Sequence, residues 1–556
     1  MMDPQPISLA IVGGGPRCLY ALESLVHARE RSQSEASLTI TIFDPAVQLG
    51  AGTVYRSNQP AYLRMNFPVG AIDAFGNRRD RIGSESPGPS LVDWLEAESG
   101  QTRIDPESIC SRSVVGRYLH SMTRRVIGHL PTNMDVRHQQ TPVQRLVREG
   151  GFWTIESGGT TRRFDQVLVV AGHEGFRPAK TSSNPETVAS GNGGVPPSTS
   201  MPIIAPIYPP ERQLSLAAIP QGSEVVIRGF GLTAIDAVLA CTEGRGGRFT
   251  HGDSGFMRYH DAGTEPARIL FQSRTARPML AKPLASVVRI VADDSIIDAG
   301  ANRILRWVDD ANGIEKMDAI LSEVFDTSDA LQSVRQHRSD SRGELRRYLS
   351  SDFDTGRAFG CIERSIQVAV GNVRPNTLWA LGESWRRLYP AIVRVVSHRA
   401  WTGQGWSVFQ RFAAEMERLS FGPPVENAMR MVALWRFGKL SLDRASRFEV
   451  AKAIPDAIAD ARIPSPHDFR PGGVVAGLVR DGYATTDAHT GSVVIDECGR
   501  PLGVPTTHDG LCIVGRCTEG CVLGNDTLGR TMHPQLDHWA EQIWLSANRL
   551  EPCVLA

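Results

Sequence analysis

The residues best suited to chemistry sit in two glycine turns. The first is Gly13-Gly14-Gly15-Pro16-Arg17-Cys18, between the apolar run LAIV and the helical pattern LYALESL. The second is Gly229-Phe230-Gly231-Leu232-Thr233-Ala234, which follows EVVI within RGFGLTAID. A glycine turn between a strand and a helix lets backbone N–H groups approach a pyrophosphate, and the helix dipole adds a favourable field. In the first turn Gly13 and Gly15 stand at the first two fingerprint positions, with Pro16 and Arg17 opening the helix. The third position is Cys18, a departure that predicts slightly looser packing of helix on strand. Asp44 ends the next strand, where an acid binds ribose hydroxyls, although its spacing from the turn exceeds the usual one. The second turn matches the G-x-G-x-x-A variant, with Thr233 among its cofactor-binding residues. Asp236 lies inside the helix and is not the ribose acid. Arg274 and Arg277, in SRTAR at the end of a later strand, suit a 2′-phosphate and favour NADPH over NADH; the plain alternative is that they solvate a surface turn.

A third mark is VLVVAGHEG, residues 167–175, which resembles the short strand and turn found late in FAD-binding Rossmann domains and puts Gly172 near the cofactor. Two loops in this order have a chemical sense. The first holds FAD, and the second presents the nicotinamide of NADPH for hydride transfer to the flavin. Disulfide reductases and flavin monooxygenases share this plan. A disulfide reductase needs a pair spaced C-x-x-C or C-x4-C; the nearest pair here, Cys517-x3-Cys521, has neither spacing and lies beyond the second turn.

Further motifs narrow the choice: IVGGGPR, GAGTVY at 50–55, YLRMNFPVGAID at 62–73, PSLVDWL at 89–95, VVGRYL at 114–119, RGFGLTAID, and GRCTEGCVLGNDTL at 515–528. On these the chain resembles a bacterial family of FAD/NAD(P)-binding, N-hydroxylating flavin monooxygenases, and within it looks most like the nitrosuccinate synthases, the aspartate N-monooxygenases. The resemblance implies oxidation of the L-aspartate amine by NADPH and O2, through N-hydroxyaspartate to nitrosuccinate. Reduced flavin would react with O2 to give a C4a-hydroperoxide whose distal oxygen the neutral amine attacks. Carbon or sulfur oxidation on the same fold, another amine substrate, and a flavin-bound protein of little turnover are the alternatives.

A dicarboxylate substrate needs cationic partners, and arginine offers bidentate geometry. Arg64 in YLRMN, and Arg516 and Arg530 around the terminal motif, are the substrate-binding candidates; the bland reading of each is a structural ion pair. Asn66 follows a motif expected to pass the flavin and is a catalytic candidate, as is Asn525. Thr518, Glu519 and Asn525 are expected beside the flavin ring, against the alternative of a polar turn capping a helix through Asp526 or Thr527. Two decoys are set aside. His251-Gly-Asp-Ser-Gly255 carries a protease-like GDSG inside the second nucleotide-binding region and reads as a loop. Cys517, Cys521 and His533 lack a fourth ligand at a usual spacing, so no metal is expected.

The elements that position these groups read as α/β: two dinucleotide-binding, Rossmann-like domains with a largely helical insert. The expected divisions are 1–205 for the first part of the FAD domain and 206–300 for the NADPH domain. A helical region at 301–465 would cover the substrate pocket, and 466–556 would return to the FAD domain with a C-terminal helix. A homo-oligomer interface is the competing reading of the helical region. The stretch TSSNPETVASGNGGVPPSTS, residues 181–200, reads as a linker. Ser407 is expected to cap a helix, Gly438 to end one, and the last helix to start near Thr531.

The 556 residues suffice for roughly two to four structural units. A composition of 41% hydrophobic and 22% charged residues is that of a globular protein. Net charge of zero argues against nucleic acid or an anionic membrane as partner. No apolar run approaches the roughly 20 residues of a membrane helix. Nine scattered cysteines fit reduced thiols in a cytoplasm. The expected partners are an amino acid and O2.

Overall fold

The computed structural model describes residues 7–76, 88–100, 102–172, 202–252, 255–308, 313–333, 340–399, 401–444, 455–505 and 509–549. The proposed linker at 181–200 lies outside the described residues. The chain divides into two compact units. The first comprises Met1–Gly175, Pro390–Trp406 and Ser465–Ala556; the second comprises Phe176–Tyr389 and Ser407–Pro464.

The first unit is built on a parallel sheet in the order Leu511–Ile513, Gln166–Val169, Ile7–Val12, Leu38–Phe43, Met134–Gln139. Central parallel strands are covered on both faces and need apolar residues throughout. LAIV meets this demand, with Leu9, Ala10 and Ile11 fully buried. The helix Pro16–Ser32 follows the central strand, and Cys18, Leu19, Leu22 and Leu25 face the core. The C-terminal helix Gln535–Arg549 packs against it: Trp544 Nε1 donates to the Leu25 carbonyl at 2.9 Å, and Tyr20 Oη donates to that of Leu528 at 2.8 Å. The buried thiol of Cys18, at the third fingerprint position, is pushed up by its burial. A three-stranded antiparallel sheet, Val143–Glu149, Phe152–Ser157 and Thr160–Phe164, completes this unit's sheets.

The second unit holds another parallel sheet, in the order Leu440–Arg444, Arg268–Ser273, Glu224–Arg228, Ala457–Asp460, Ile203–Ile204. Its composition departs from the divisions drawn on sequence. Ile203–Ile204, assigned to the FAD domain, belongs to this sheet. Two more strands come from the segment 301–465 expected to be a helical insert. That segment is helical over much of its length, as in Thr355–Ala369 and Val425–Arg436. Its last strand, AIAD, is nonetheless buried at every position between two neighbours. Four residues are too few for periodicity to separate a buried strand from a helical turn.

Two helix starts also differ. The helix with SVFQRFAAEMERL begins at Gly403, and Thr402 Oγ1, not Ser407, accepts from the first turn, at Gly405 N. The last helix begins at Gln535, where the Pro534 carbonyl accepts from Asp537 and His538. Gly438 does follow a helix end, with φ of 87°. No helix among the described residues is long and apolar enough to cross a membrane.

Candidate functional site

Contacts around the first glycine turn leave no room for a side chain at Gly13 or Gly14. Gly13 has φ of 111°, and a Cβ there would stand 2.5 Å from the Val170 carbonyl oxygen. A Cβ on Gly14 would stand 2.8 Å from that of Asp44. Gly15 faces Gly52, of the GAGTVY motif, so closely that a Cβ on Gly52 would come within 3.2 Å of the Gly15 Cα. Two stretches of bare backbone thus meet at the start of a 17-residue helix. Gly15 caps that helix without any side-chain acceptor, and Pro16 occupies its first turn. Unsatisfied N–H groups at such a terminus suit an anion.

Asp44 holds the turn in place. Its Oδ2 accepts from Gly14 N at 2.6 Å and its Oδ1 from Ala46 N at 2.8 Å. Each carboxylate oxygen keeps a second lone pair for a ribose hydroxyl. Gly172, φ 63°, has no neighbour among the described residues within 4 Å of its Cβ position. Arg17 Nη2 donates to the carbonyls of Asn525 (3.1 Å) and Thr527 (3.2 Å), binding the terminal motif to the glycine turn. Burial lowers its pKa.

The terminal motif forms one closed turn. Glu519 accepts from Gly524 N and Asn525 N, each at 2.8 Å, and the buried Thr518 hydroxyl donates to the Gly515 carbonyl at 2.7 Å. Asn525 is fully buried and donates through Nδ2 to Thr518 Oγ1 at 2.6 Å and to Gln535 Oε1 at 3.2 Å. Among the described residues, the buried Asn525 Oδ1, Thr527 Oγ1 and His533 Nε2 have no hydrogen-bond partner. The bare-backbone cradle and the acid beside it suit a dinucleotide. Neither Asp526 nor Thr527 caps a helix, since the next helix starts eight residues beyond Thr527. Asp526 instead pairs with Arg516 at 2.7 Å.

The proposed substrate arginines part company. Arg530 is a correction: it is 6% exposed, and its Nη2 bonds Glu23 (2.9 Å), Ser24 (2.9 Å) and Asp537 (2.6 Å). Two carboxylates from two helices already neutralise it, so it is a structural ion pair. Arg64 and Asn66 are half-buried, and Arg64 bridges backbone to Ser111.

In the second unit Gly229, φ 117°, approaches the Ala461 carbonyl, and Gly231 opens the helix Leu232–Cys241, which buries Thr233. The two arginines proposed for a 2′-phosphate differ. Arg277 is locked to Glu415 by a two-point pair, Nη2–Oε1 2.6 Å and Nε–Oε2 3.0 Å, with both side chains 13% exposed. Arg274 is exposed and, among the described residues, has no ion-pair partner. The decoy stretch 251–255 includes residues outside those described.

Sequence reasoning missed Ser397, His398 and Gln535. Ser397 Oγ accepts from Leu523 N at 3.1 Å, His398 N donates to the Cys521 carbonyl at 2.7 Å, and Gln535 holds Asn525. Ser397 and His398 lie more than a hundred residues before the turn, in a stretch dominated by helices. Only the positive φ of His398, 59°, marks it, and that is not visible in sequence.

Comparison with known proteins agrees with this geometry. Residues 10–174 match the model of a family described as FAD-NAD(P)-binding. The chain is 30% identical over 307 residues to an L-aspartate N-monooxygenase (nitrosuccinate-forming) of Streptomyces cremeus, covering 50% of this chain and 44% of that protein. It is 30% identical over 279 residues to the nitrosuccinic acid synthase npaA of Aspergillus oryzae, covering 49% and 41%. The chain therefore spans less than half the length of these relatives. Among solved structures, the L-lysine 6-monooxygenase of Pseudomonas syringae is 13% identical with a TM-score of 0.46, over 98% of this chain and all of that one.

Proposed function

We propose that the chain is an FAD- and NADPH-dependent monooxygenase that hydroxylates the amine of L-aspartate and oxidises it further to nitrosuccinate. The observation that carries this reading is the glycine cradle of an FAD-NAD(P)-binding domain in a chain 30% identical to nitrosuccinate-forming enzymes. The second glycine turn supports it, because a flavin that turns over needs a hydride donor.

Bound FAD supplies the hydride acceptor and the oxygen chemistry. The residues do the rest. The backbone N–H groups of Gly15 and Arg17 at the helix start take the pyrophosphate, and Asp44 takes the ribose. Asn525 and Asn66 offer hydrogen bonds to the ring or to the reacting groups. Arg64 binds a substrate carboxylate, and Arg516 is the second candidate, although it already pairs with Asp526. Gly229 and Gly231 receive the NADPH pyrophosphate, and Arg274 receives its 2′-phosphate.

The test is NADPH oxidation by the FAD-loaded protein with and without L-aspartate, with product mass read from the same tube. Stimulated oxidation with oxygen added at nitrogen supports the reading. Oxidation indifferent to aspartate, giving only hydrogen peroxide, would exclude aspartate as substrate.

A further inference from the structure

The second glycine turn repeats the backbone bonds of the first and differs from it in charge. Gly13 N donates to the Phe43 carbonyl at 3.0 Å, and Gly229 N donates to that of Gln272 at 2.9 Å. Val170 N donates to the Val12 carbonyl at 2.8 Å, and Ala461 N to that of Arg228 at 2.9 Å. The register of the flanking strands agrees, with Val12 opposite Val169 and Arg228 opposite Asp460. In the first unit the strand ends beside the turn thus carry Val12, Val169 and Ala171. The matching positions of the second unit carry Arg228, Asp460 and Arg462. The backbone arrangement does not need these charges, since the first unit forms it with apolar residues.

These charges stand where an open parallel sheet takes a ligand. The strand Glu224–Arg228 has Arg268–Ser273 on one side and Ala457–Asp460 on the other, so the chain order reverses there. Such a reversal opens a crevice at the carboxyl ends of the strands, and dinucleotides cross it. Arg462 N lies 3.7 Å from the Cβ position of Gly229, at that crevice. Asp460 is buried, and its carboxylate accepts from Arg462 Nε at 2.8 Å and from Nη2. Burial by itself would raise this carboxyl, but hydrogen bonds and charge from Arg462, and then the charge of Arg228, hold it below its ordinary value. The ionised acid clasps one edge of the guanidinium. The other edge, with Nη1 and the outer hydrogen of Nη2, stays in solvent, for the Arg462 side chain is 62% exposed. That edge is a fork that can take two oxygens of a phosphate.

We propose that Arg462 binds the pyrophosphate of NADPH, and that Asp460 is the positioning residue that fixes its guanidinium beside the second glycine turn. This rests on the reading that the second unit binds NADPH. The pyrophosphate is favoured over the 2′-phosphate by position. Arg274 follows the strand Arg268–Ser273, which lies across Glu224–Arg228 from Asp460. Neighbouring strands are about 4.8 Å apart, so these two strand ends stand about 10 Å apart. A dinucleotide with its 2′-phosphate at Arg274 brings its pyrophosphate over the glycine turn, toward Arg462.

The test is calorimetric titration of the full chain loaded with FAD, beside Arg462→Gln and Arg462→Lys. The ligands are NADP+, which avoids turnover, and adenosine 2′-monophosphate, which carries the 2′-phosphate and no pyrophosphate. The glutamine amide still donates to Asp460, and lysine keeps a cation beside it, so both variants should fold. Neither has the fork. Each should bind NADP+ about tenfold more weakly, and adenosine 2′-monophosphate as the unaltered protein does. Arg274→Ala, by contrast, should weaken both ligands. Unchanged NADP+ affinity in either Arg462 variant would overturn the proposal. Equal weakening of both ligands would assign Arg462 to the 2′-phosphate and equally overturn it. If the unaltered protein took up no NADP+, the NADPH reading itself would fail and take the proposal with it, a result distinct from the other two.

Discussion

Acid should weaken the first unit through His533. This residue is 7% exposed, and its Nε2 has no partner among the described residues. Burial, then the nearby Arg17 guanidinium, hold its pKa down at about 4, while backbone contacts at Gly524 and Leu523 oppose them. In the unfolded chain the ring titrates near 6.5. Above that value neither state binds the proton, and the contribution to stability is complete. Between 6.5 and about 4 the unfolded chain binds a proton that the folded one refuses, so stability falls with pH. Below about 4 both states are protonated and the loss is finished. At about 1.4 kcal/mol per tenfold, that gap amounts to about 3 kcal/mol in all, of which about 2 kcal/mol is lost between pH 7 and pH 5. Domains are stable by roughly 5–15 kcal/mol, so the effect is measurable. Two assays read it. In histidine-labelled protein the His533 ring resonance should titrate near the folded value. In urea unfolding, the native chain should lose about 2 kcal/mol more between pH 7 and pH 5 than His533→Asn, which has no ring to protonate. A ring that titrates near 6.5, or a variant with the same pH slope as the native chain, would refute the reasoning.

The other predictions concern single groups. Arg530→Met leaves Glu23 and Asp537 buried without their cation and should cost about 3 kcal/mol or more in stability, with aspartate KM unchanged in the folded fraction; a raised KM at unaltered thermal midpoint would return Arg530 to the substrate site. Gly13→Ala drives a Cβ into the Val170 carbonyl at a backbone angle that L residues avoid, so purified protein should carry little FAD; full flavin loading would count against the cradle. Arg64→Ala should raise the aspartate KM about tenfold or more at normal flavin content, since a charged hydrogen bond is lost; an unchanged KM removes Arg64 from the site. Arg274→Ala should raise the NADPH KM about tenfold and leave the NADH KM alone, whereas Arg277→Ala should chiefly lower stability by freeing Glu415.

Much of the plan is legible locally. A strand, a glycine turn and a helix are contiguous, so both nucleotide turns and the strand that ends at Asp44 follow from periodicity and residue type. The terminal turn was also foreseeable, because Thr518, Glu519 and Asn525 close it within eight residues. The sequence by itself determined which backbone segments can take a dinucleotide, for glycine's missing side chain is a property of each position. Tertiary structure alone decided the employment of the charged and polar groups. Arg277 and Arg530 look like free cations in sequence, but partners 138 and 507 residues away claim them. The return of Pro390–Trp406 to the first unit, and with it the seat of His398 behind Asn525, has no local signal either. Such pairings depend on which helix faces meet across the core, and a packing contact between distant segments leaves no periodicity in the chain that makes it.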